Sequence, residues 1–215
     1  MGLAALVTIA SVGVSHAGGT VPVRPDLRSA GWEMLSFRGL ADTSFRTRAD
    51  GAVEVRAEKS SSVLYLKIAD DPVPATRLSW DWQVVDGVPA SDLSRTDGDD
   101  RSLSVYVAFS DGSMASKLKS MVSPLAAGHV LNYVWGGDAP LDIAHPHFPT
   151  SGRLIVRRTA DAPSGTWISE SVDLAADYRR AFGEAPPGVL YIGISGDSDD
   201  SGVTATGLIR NLRWE

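Results

Sequence analysis

The feature that most constrains this chain is a period-two alternation of apolar and polar residues that recurs along most of its length. Such alternation places apolar side chains on one face of an extended strand, so each stretch predicts a half-buried β-strand. Glycine, proline, aspartate and serine cluster between the stretches, where turns require them. The pattern predicts about nine strands, at 52–58, 62–69, 76–85, 101–110, 129–136, 153–159, 165–172, 189–195 and 203–214.

The strand pattern predicts an all-β fold, an antiparallel β-sandwich of the jelly-roll type with one short α-helix. The long helical patterns that a parallel sheet needs do not occur between the strands. Asp173 can cap the helix and Gly183 can end it, and apolar residues at spacing four from Leu174 to Phe182 form its buried face. A second short helix is a weaker candidate at 114–122.

The first 17 residues predict a secretory signal peptide. The stretch 3–14 is apolar or small, and Ser15-His16-Ala17 fits the small-x-small cleavage pattern. The alternative is a buried strand or helix at the start of the fold. The remaining length, 18–215, favours a single domain. We therefore expect a periplasmic or secreted bacterial protein, with no stable membrane span after the signal is removed.

Composition excludes several function classes. The net charge is −6 and no Lys/Arg-rich run occurs, so the sequence predicts no nucleic-acid partner. The chain has no cysteine, which excludes a thiolate nucleophile and a thiolate metal site. No G-x-S-x-G elbow is present, which excludes an α/β-hydrolase triad.

Two short acidic runs, 97–100 and 197–200, stand at the ends of apolar strands. Carboxylates gathered in this way repel one another unless water, hydrogen bonds or a cation separates them. The candidate cofactor is therefore Ca²⁺. The alternatives are Asx-turns, or ion pairs of Asp99 or Asp100 with an arginine such as Arg101, Arg157 or Arg210. The candidate metal ligands are Asp97, Asp99, Asp100, Asp197, Asp199 and Asp200.

Two pairs of aromatic residues at spacing two could form a platform for sugar rings. Trp80 and Trp82 share their face with apolar neighbours, so we expect them in the core. Tyr133 and Trp135 run into a Gly-Gly loop and are the better candidates for stacking on a sugar. Asn132 and His129 complete this set of candidate ligand-binding residues.

The order of these segments resembles the bacterial exported family 3047 of domains of unknown function, over roughly residues 32–214. The resemblance implies an exported single domain, again a jelly roll, and it brings no established activity. It is carried by Leu78-Ser79-Trp80-Asp81-Trp82, Gly98-Asp99-Asp100, Val105-Tyr106-Val107-Ala108-Phe109, Leu131-Asn132-Tyr133-Val134-Trp135, 177–183 and 197–202.

These observations predict a non-catalytic exported binding module for a carbohydrate or envelope glycan, with calcium as a stabilising ion. Under this hypothesis no residue is catalytic. One alternative is a polysaccharide lyase or glycoside hydrolase on the same scaffold, using His129, Tyr133, Glu170 and an arginine. Another is a structural protein of the cell envelope.

Overall fold

The computed structural model of the chain describes residues 19–74, 76–126 and 128–215. The predicted signal peptide at 1–17 lies outside these ranges. The strands are β1 (Gly19–Thr20), β2 (Trp32–Ser36), β3 (Ser44–Thr47), β4 (Val53–Glu58), β5 (Ser61–Lys67), β6 (Arg77–Asp86), β7 (Arg101–Phe109), β8 (Val130–Trp135), β9 (Asp142–Ala144), β10 (Gly152–Arg158), β11 (Ile168–Asp173), β12 (Val189–Asp197) and β13 (Thr204–Trp214). The helices are α1 (Met114–Val122) and α2 (Leu174–Phe182), with 3₁₀ turns at Arg28–Ala30 and Pro124–Ala126.

The strands form two packed sheets, so the predicted β-sandwich is confirmed. One sheet has the order β11-β6-β13-β4-β3, with β1 also paired to β13, and the other has the order β2-β5-β12-β7-β8-β10-β9. Pairing between the named strands is antiparallel, as predicted, except that β10 runs parallel to β8. The segment 136–151 carries the chain back to the beginning of β8, and Gly152 therefore pairs with Val130.

Aromatic side chains from both sheets meet in the core. Trp80 and Trp82 of β6 face Tyr133 and Trp135 of β8, with ring centroids 5.6 Å apart for Trp80–Tyr133 and 5.4 Å apart for Trp82–Trp135. The prediction that Trp80 and Trp82 lie in the core is confirmed. Burying one such ring contributes at most roughly 4–6 kcal/mol, at about 25 cal/mol per Å² of apolar surface.

The outer face of the seven-stranded sheet is also covered. Val105 and Val107 of β7 face the core between the sheets, whereas Tyr106 and Ala108, which alternate with them, belong to a second apolar cluster on the opposite face. Leu125, in the 3₁₀ turn after α1, packs against this second cluster. Because β7 is buried on both faces, its second half, 105–109, is continuously apolar.

Helix α2 begins and ends where the sequence predicts. The side chain of Asp173 accepts a hydrogen bond from the backbone N–H of Ala176, and Gly183 has the left-handed φ of 76° that ends the helix. Leu174 and Tyr178 are buried, and Phe182 packs at the edge of the core. Among the described residues, no helix combines the length and apolarity that crossing a bilayer demands.

Candidate functional site

The two acidic runs, 97–100 and 197–200, lie side by side. Strand β7 begins at Arg101 and β12 ends at Asp197. The two strands are antiparallel neighbours, so the start of one lies beside the end of the other, and Arg101 and Asp197 are register partners. Pairing of the strands therefore brings together two segments that are about 100 residues apart in the sequence.

Asp100 fastens one run to the other. Its Oδ1 accepts a hydrogen bond from the backbone N–H of Asp200 at 3.2 Å, and its Oδ2 accepts one from the backbone N–H of Ser201 at 2.7 Å. These are charge-assisted bonds from a buried carboxylate, which are stronger than bonds between neutral groups. The loop that follows β12 is thus fixed in place by the run that precedes β7.

Arg101 is a buried cation between two buried carboxylates. Its Nη1 donates to Asp99 Oδ2 at 2.7 Å, and its Nη2 lies 3.0 Å from Asp197 Oδ2. Nη2 also donates to the hydroxyl of Tyr106 at 3.1 Å. On the outer side, His147 Nε2 lies 3.1 Å from Asp99 Oδ1. The alternative prediction of an ion pair between Asp99 and Arg101 is therefore confirmed.

This charged network lines part of a pocket of about 540 Å³ on the outer face of the seven-stranded sheet. Apolar side chains line the rest, with Leu35, Phe37 and Leu40 from the segment around the end of β2 and Leu125 and Phe148 from other loops. The ring of Phe148 stacks on His145 with centroids 3.7 Å apart. The charged and titratable residues of the lining are Asp99, Arg101, Tyr106, His145, His147, Asp197, Asp199 and Asp200.

Burial changes the acidity of the carboxyls in this pocket. It raises the pKa of Asp197 to about 8; the Arg101 charge opposes this rise, and the nearby Asp199 reinforces it. The pKa of Asp200 is also raised, by burial and then by the neighbouring Asp100 carboxylate. These carboxyls therefore bind protons more readily than the carboxyl of a free aspartate does.

His145 is a buried, neutral imidazole in the pocket lining. Its Nδ1 accepts a hydrogen bond from the backbone N–H of His147 at 3.3 Å, and its Nε2 lies 3.5 Å from the side-chain amide of Asn132. Burial, then the positive charges of Arg101 and His147, lower the pKa of His145 to about 2. A proton on Nδ1 would also remove the hydrogen bond from His147.

His145 should make the fold sensitive to mild acid. The unfolded chain takes up a proton near the ordinary pKa of 6.5, whereas the folded protein does so only near 2. His145 by itself therefore lowers the stability as the pH falls below about 6.5, by about 1.4 kcal/mol per pH unit, or about 2–3 kcal/mol at pH 4.5, whereas the raised pKa of Asp197 acts in the opposite direction over the same range. Urea unfolding between pH 7 and 4.5 should show that acid is less unfavourable to His145→Gln than to the wild type. Equal slopes would contradict the buried neutral imidazole.

The predicted metal ligands divide into two groups. Asp97 lies on the surface, where Arg95 donates two hydrogen bonds to its carboxylate, and Asp99 is engaged by Arg101 and His147. Asp200 is exposed, and its backbone N–H donates a hydrogen bond to Asp100. The three that come together, with an oxygen of each within 4.8 Å of the others, are Asp100, Asp197 and Asp199.

The structure corrects the predicted sugar platform at Tyr133 and Trp135. Their exposures are 0% and 1%, and both side chains point into the core because they alternate with outward-facing Asn132 and Val134. The Tyr133 hydroxyl donates to Asp177 Oδ2 at 2.8 Å. Rings in these positions cannot stack on a sugar that arrives from solvent.

The other two candidate ligand-binding residues also lie outside the pocket lining. Asn132 is fully buried below His145. His129 stacks on Phe182 of α2, and its Nδ1 lies 2.7 Å from the Tyr178 hydroxyl. The acid–base pair considered for a lyase is therefore divided between separate contacts with α2.

Sequence reasoning missed the pocket's aromatic residues. Phe37 and Phe148 lie in loops, where no periodicity marks a face. Tyr106 carried a signal, because a hydroxyl in an otherwise apolar strand needs a polar partner when it is buried. That partner is Arg101.

Three comparisons place the chain among known proteins. Residues 30–213 match a family described as protein of unknown function, DUF3047. No curated protein matches the chain. Similar solved structures include a CBM29-2 mutant, from work on ligand recognition by family 29 carbohydrate binding modules, with TM-score 0.43 and 10% identity over 93% of this chain and 91% of that chain.

Two further structures match at the same level. A carbohydrate binding module of family 29 has TM-score 0.43 and 10% identity, over 92% of this chain and 87% of that chain. A CBM29-2 mutant complexed with mannohexaose has TM-score 0.41 and 12% identity, over 86% of this chain and 80% of that chain.

Proposed function

Because this chain belongs to the DUF3047 family, whose description assigns no activity, we propose a function from the pocket itself: an exported, non-catalytic module that binds a carbohydrate, such as an envelope glycan. The observation that carries this proposal is a pocket whose lining combines aromatic and aliphatic side chains with fixed charged groups. Export is part of the proposal and depends on the predicted signal peptide at 1–17.

The two kinds of side chain in the pocket lining suit the chemistry of a sugar. A pyranose ring presents apolar C–H groups on its faces, which Phe37 and Phe148 can cover, and hydroxyls around its edge. The carboxylates of Asp99 and Asp199 can accept hydrogen bonds from such hydroxyls. The volume of about 540 Å³ lies within the roughly 300–1,000 Å³ typical of small-molecule sites.

The charged side chains of the lining are held in place before a ligand arrives. Arg101 is held by Asp99, Asp197 and Tyr106, so these groups lose little conformational freedom on binding. A preorganised site avoids part of the entropic cost of association. The pocket therefore favours binding of a ligand of defined shape over general adhesion to a surface.

The geometry supports the hydrolase alternative less well. Glu170, the carboxylate considered for catalysis, is buried and bound by Arg157 and Arg158. These contacts suit a structural role for Glu170.

Replacing Phe148 with alanine should weaken glycan binding at least tenfold, or about 1.4 kcal/mol, because the ring forms one wall of the pocket. The measurement is an array of envelope and cell-wall oligosaccharides, followed by calorimetric titration of the strongest ligand. Phe182→Ala is the matched control, since Phe182 is also half-buried but lies on α2. Equal affinity of the wild type and Phe148→Ala, or the absence of any bound glycan, would contradict the proposal.

A further inference from the structure

The point where the two acidic runs meet has the properties of a cation site. We propose that Asp100, Asp197 and Asp199 bind a divalent cation, Ca²⁺, which joins the start of β7 to the end of β12. The three residues come from the two separate runs, and an oxygen of each lies within 4.8 Å of the others. This proposal does not depend on carbohydrate binding, and its test uses no sugar.

The spacing of these oxygens matches the size of the ion. Calcium–oxygen distances are about 2.3–2.6 Å, so two ligands of one ion are at most about 4.6–5.2 Å apart. The carboxylate oxygens of Asp100, Asp197 and Asp199 satisfy this limit without any movement of the backbone. Their all-oxygen character favours a hard cation such as Ca²⁺ over transition metals that prefer imidazole or thiolate.

A second observation indicates a missing partner at Asp197. The side chain is 6% exposed, and its Oδ2 is bound by Arg101. Its Oδ1 is buried and accepts no hydrogen bond from any residue in the described ranges. The hydroxyl of Ser198, the next residue, is also buried and lacks a hydrogen-bond partner there. A buried carboxylate oxygen without a partner is costly, and an ion would satisfy it.

The balance of charge points in the same direction. Among the described residues, the basic side chains that contact the runs beside the pocket are Arg101 and His147, and both contact Asp99. Uncompensated carboxylates in a buried site repel one another strongly. A divalent cation would remove much of this repulsion. The carboxyls gathered here are Asp99, Asp100, Asp197, Asp199 and Asp200.

The position of the ion would give it two effects. Asp100 already binds the backbone of the loop after β12, so an ion shared with Asp199 would fix that loop more firmly. Asp197 also holds Arg101, so the same ion would fix the position of the charged side chains in the pocket. Binding that occurs only in the folded state raises the melting temperature with ligand concentration.

The test is calorimetric titration of CaCl₂ into the chelator-treated protein 18–215, together with its melting temperature with and without Ca²⁺. The wild type should bind one Ca²⁺ and melt at a higher temperature in its presence. Asp199→Asn removes one of three charged ligands and should weaken binding at least about tenfold. Asp97→Asn is the matched control, because Asp97 belongs to the same runs but lies on the surface with Arg95. This variant should bind Ca²⁺ like the wild type.

No binding of Ca²⁺ to the wild type, or equal affinity in Asp199→Asn, would overturn the proposal. If Asp199→Asn fails to fold, crystals of the wild type grown with CaCl₂ decide the question through anomalous scattering. A peak among the three aspartates supports the site, and its absence overturns it. Loss of glycan binding would leave these results unchanged, so the two proposals fail independently.

Discussion

Arg101→Met should lower the free energy of unfolding by about 3–5 kcal/mol, the cost of breaking a buried ion pair by removing one partner. Arg101 lies between Asp99 and Asp197, and all three side chains are almost fully buried. Without the guanidinium, two carboxylates remain in a site of low dielectric constant with no cation bound between them. Methionine has a similar length and leaves little cavity, so the expected loss reflects charge and hydrogen bonding.

Arg95→Met provides the matched control for this experiment. Arg95 also pairs with an aspartate of the first acidic run, Asp97, but both side chains are more than half exposed. Ion pairs in solvent contribute little to stability because water and salt screen them, so this variant should unfold almost like the wild type. Urea unfolding at pH 7 measures both variants. Similar small losses for Arg101→Met and Arg95→Met would show that the buried network does not stabilise the fold.

Trp135→Ala should cost about 3–5 kcal/mol of stability, because it leaves a large cavity in the core. Trp135 is 1% exposed and packs against Trp82 from the opposite sheet with ring centroids 5.4 Å apart. Its loss therefore weakens the contact between the two sheets. Protein that remains folded should still bind glycan, because Trp135 does not line the pocket.

Trp167 serves as the control for that substitution. It is half-exposed in the loop just before β11, and the Arg210 guanidinium lies 3.9 Å from its ring centroid. Trp167→Ala should cost only about 1 kcal/mol, from the lost cation–π contact and partial burial. Thermal and urea unfolding measure the two variants. A loss below 1 kcal/mol for Trp135→Ala, together with abolished glycan binding, would instead place Trp135 at a binding surface.

The central strands could be predicted from the sequence because mostly apolar stretches bounded by turn residues are typical of buried strands. The stretch 189–195 corresponds to β12 at Val189–Asp197, and 101–110 corresponds to β7 at Arg101–Phe109. Short edge strands escaped prediction. Strand β2 at Trp32–Ser36 buries only Trp32, and β9 at Asp142–Ala144 spans three residues, so neither shows a clear period.

The position of the site depended on information that alternation does not contain. Spacing of two shows that Tyr133 and Trp135 share a face, but not which face, and β8 is buried on both sides. Register between β7 and β12 decides that Arg101 lies beside Asp197, and register follows from the whole sheet. The acidic runs stand out in the sequence as unusual clusters. Which of their aspartates lie on the surface, which form buried ion pairs and which come together could be learned only from the fold.

A crystal structure of the protein with its strongest array ligand tests the central claim most directly. The account predicts sugar density in the pocket, with a ring face against Phe148 and hydroxyls directed toward Asp99 and Asp199. Sugar density elsewhere, for example against Trp167 in the loop before β11, would contradict it.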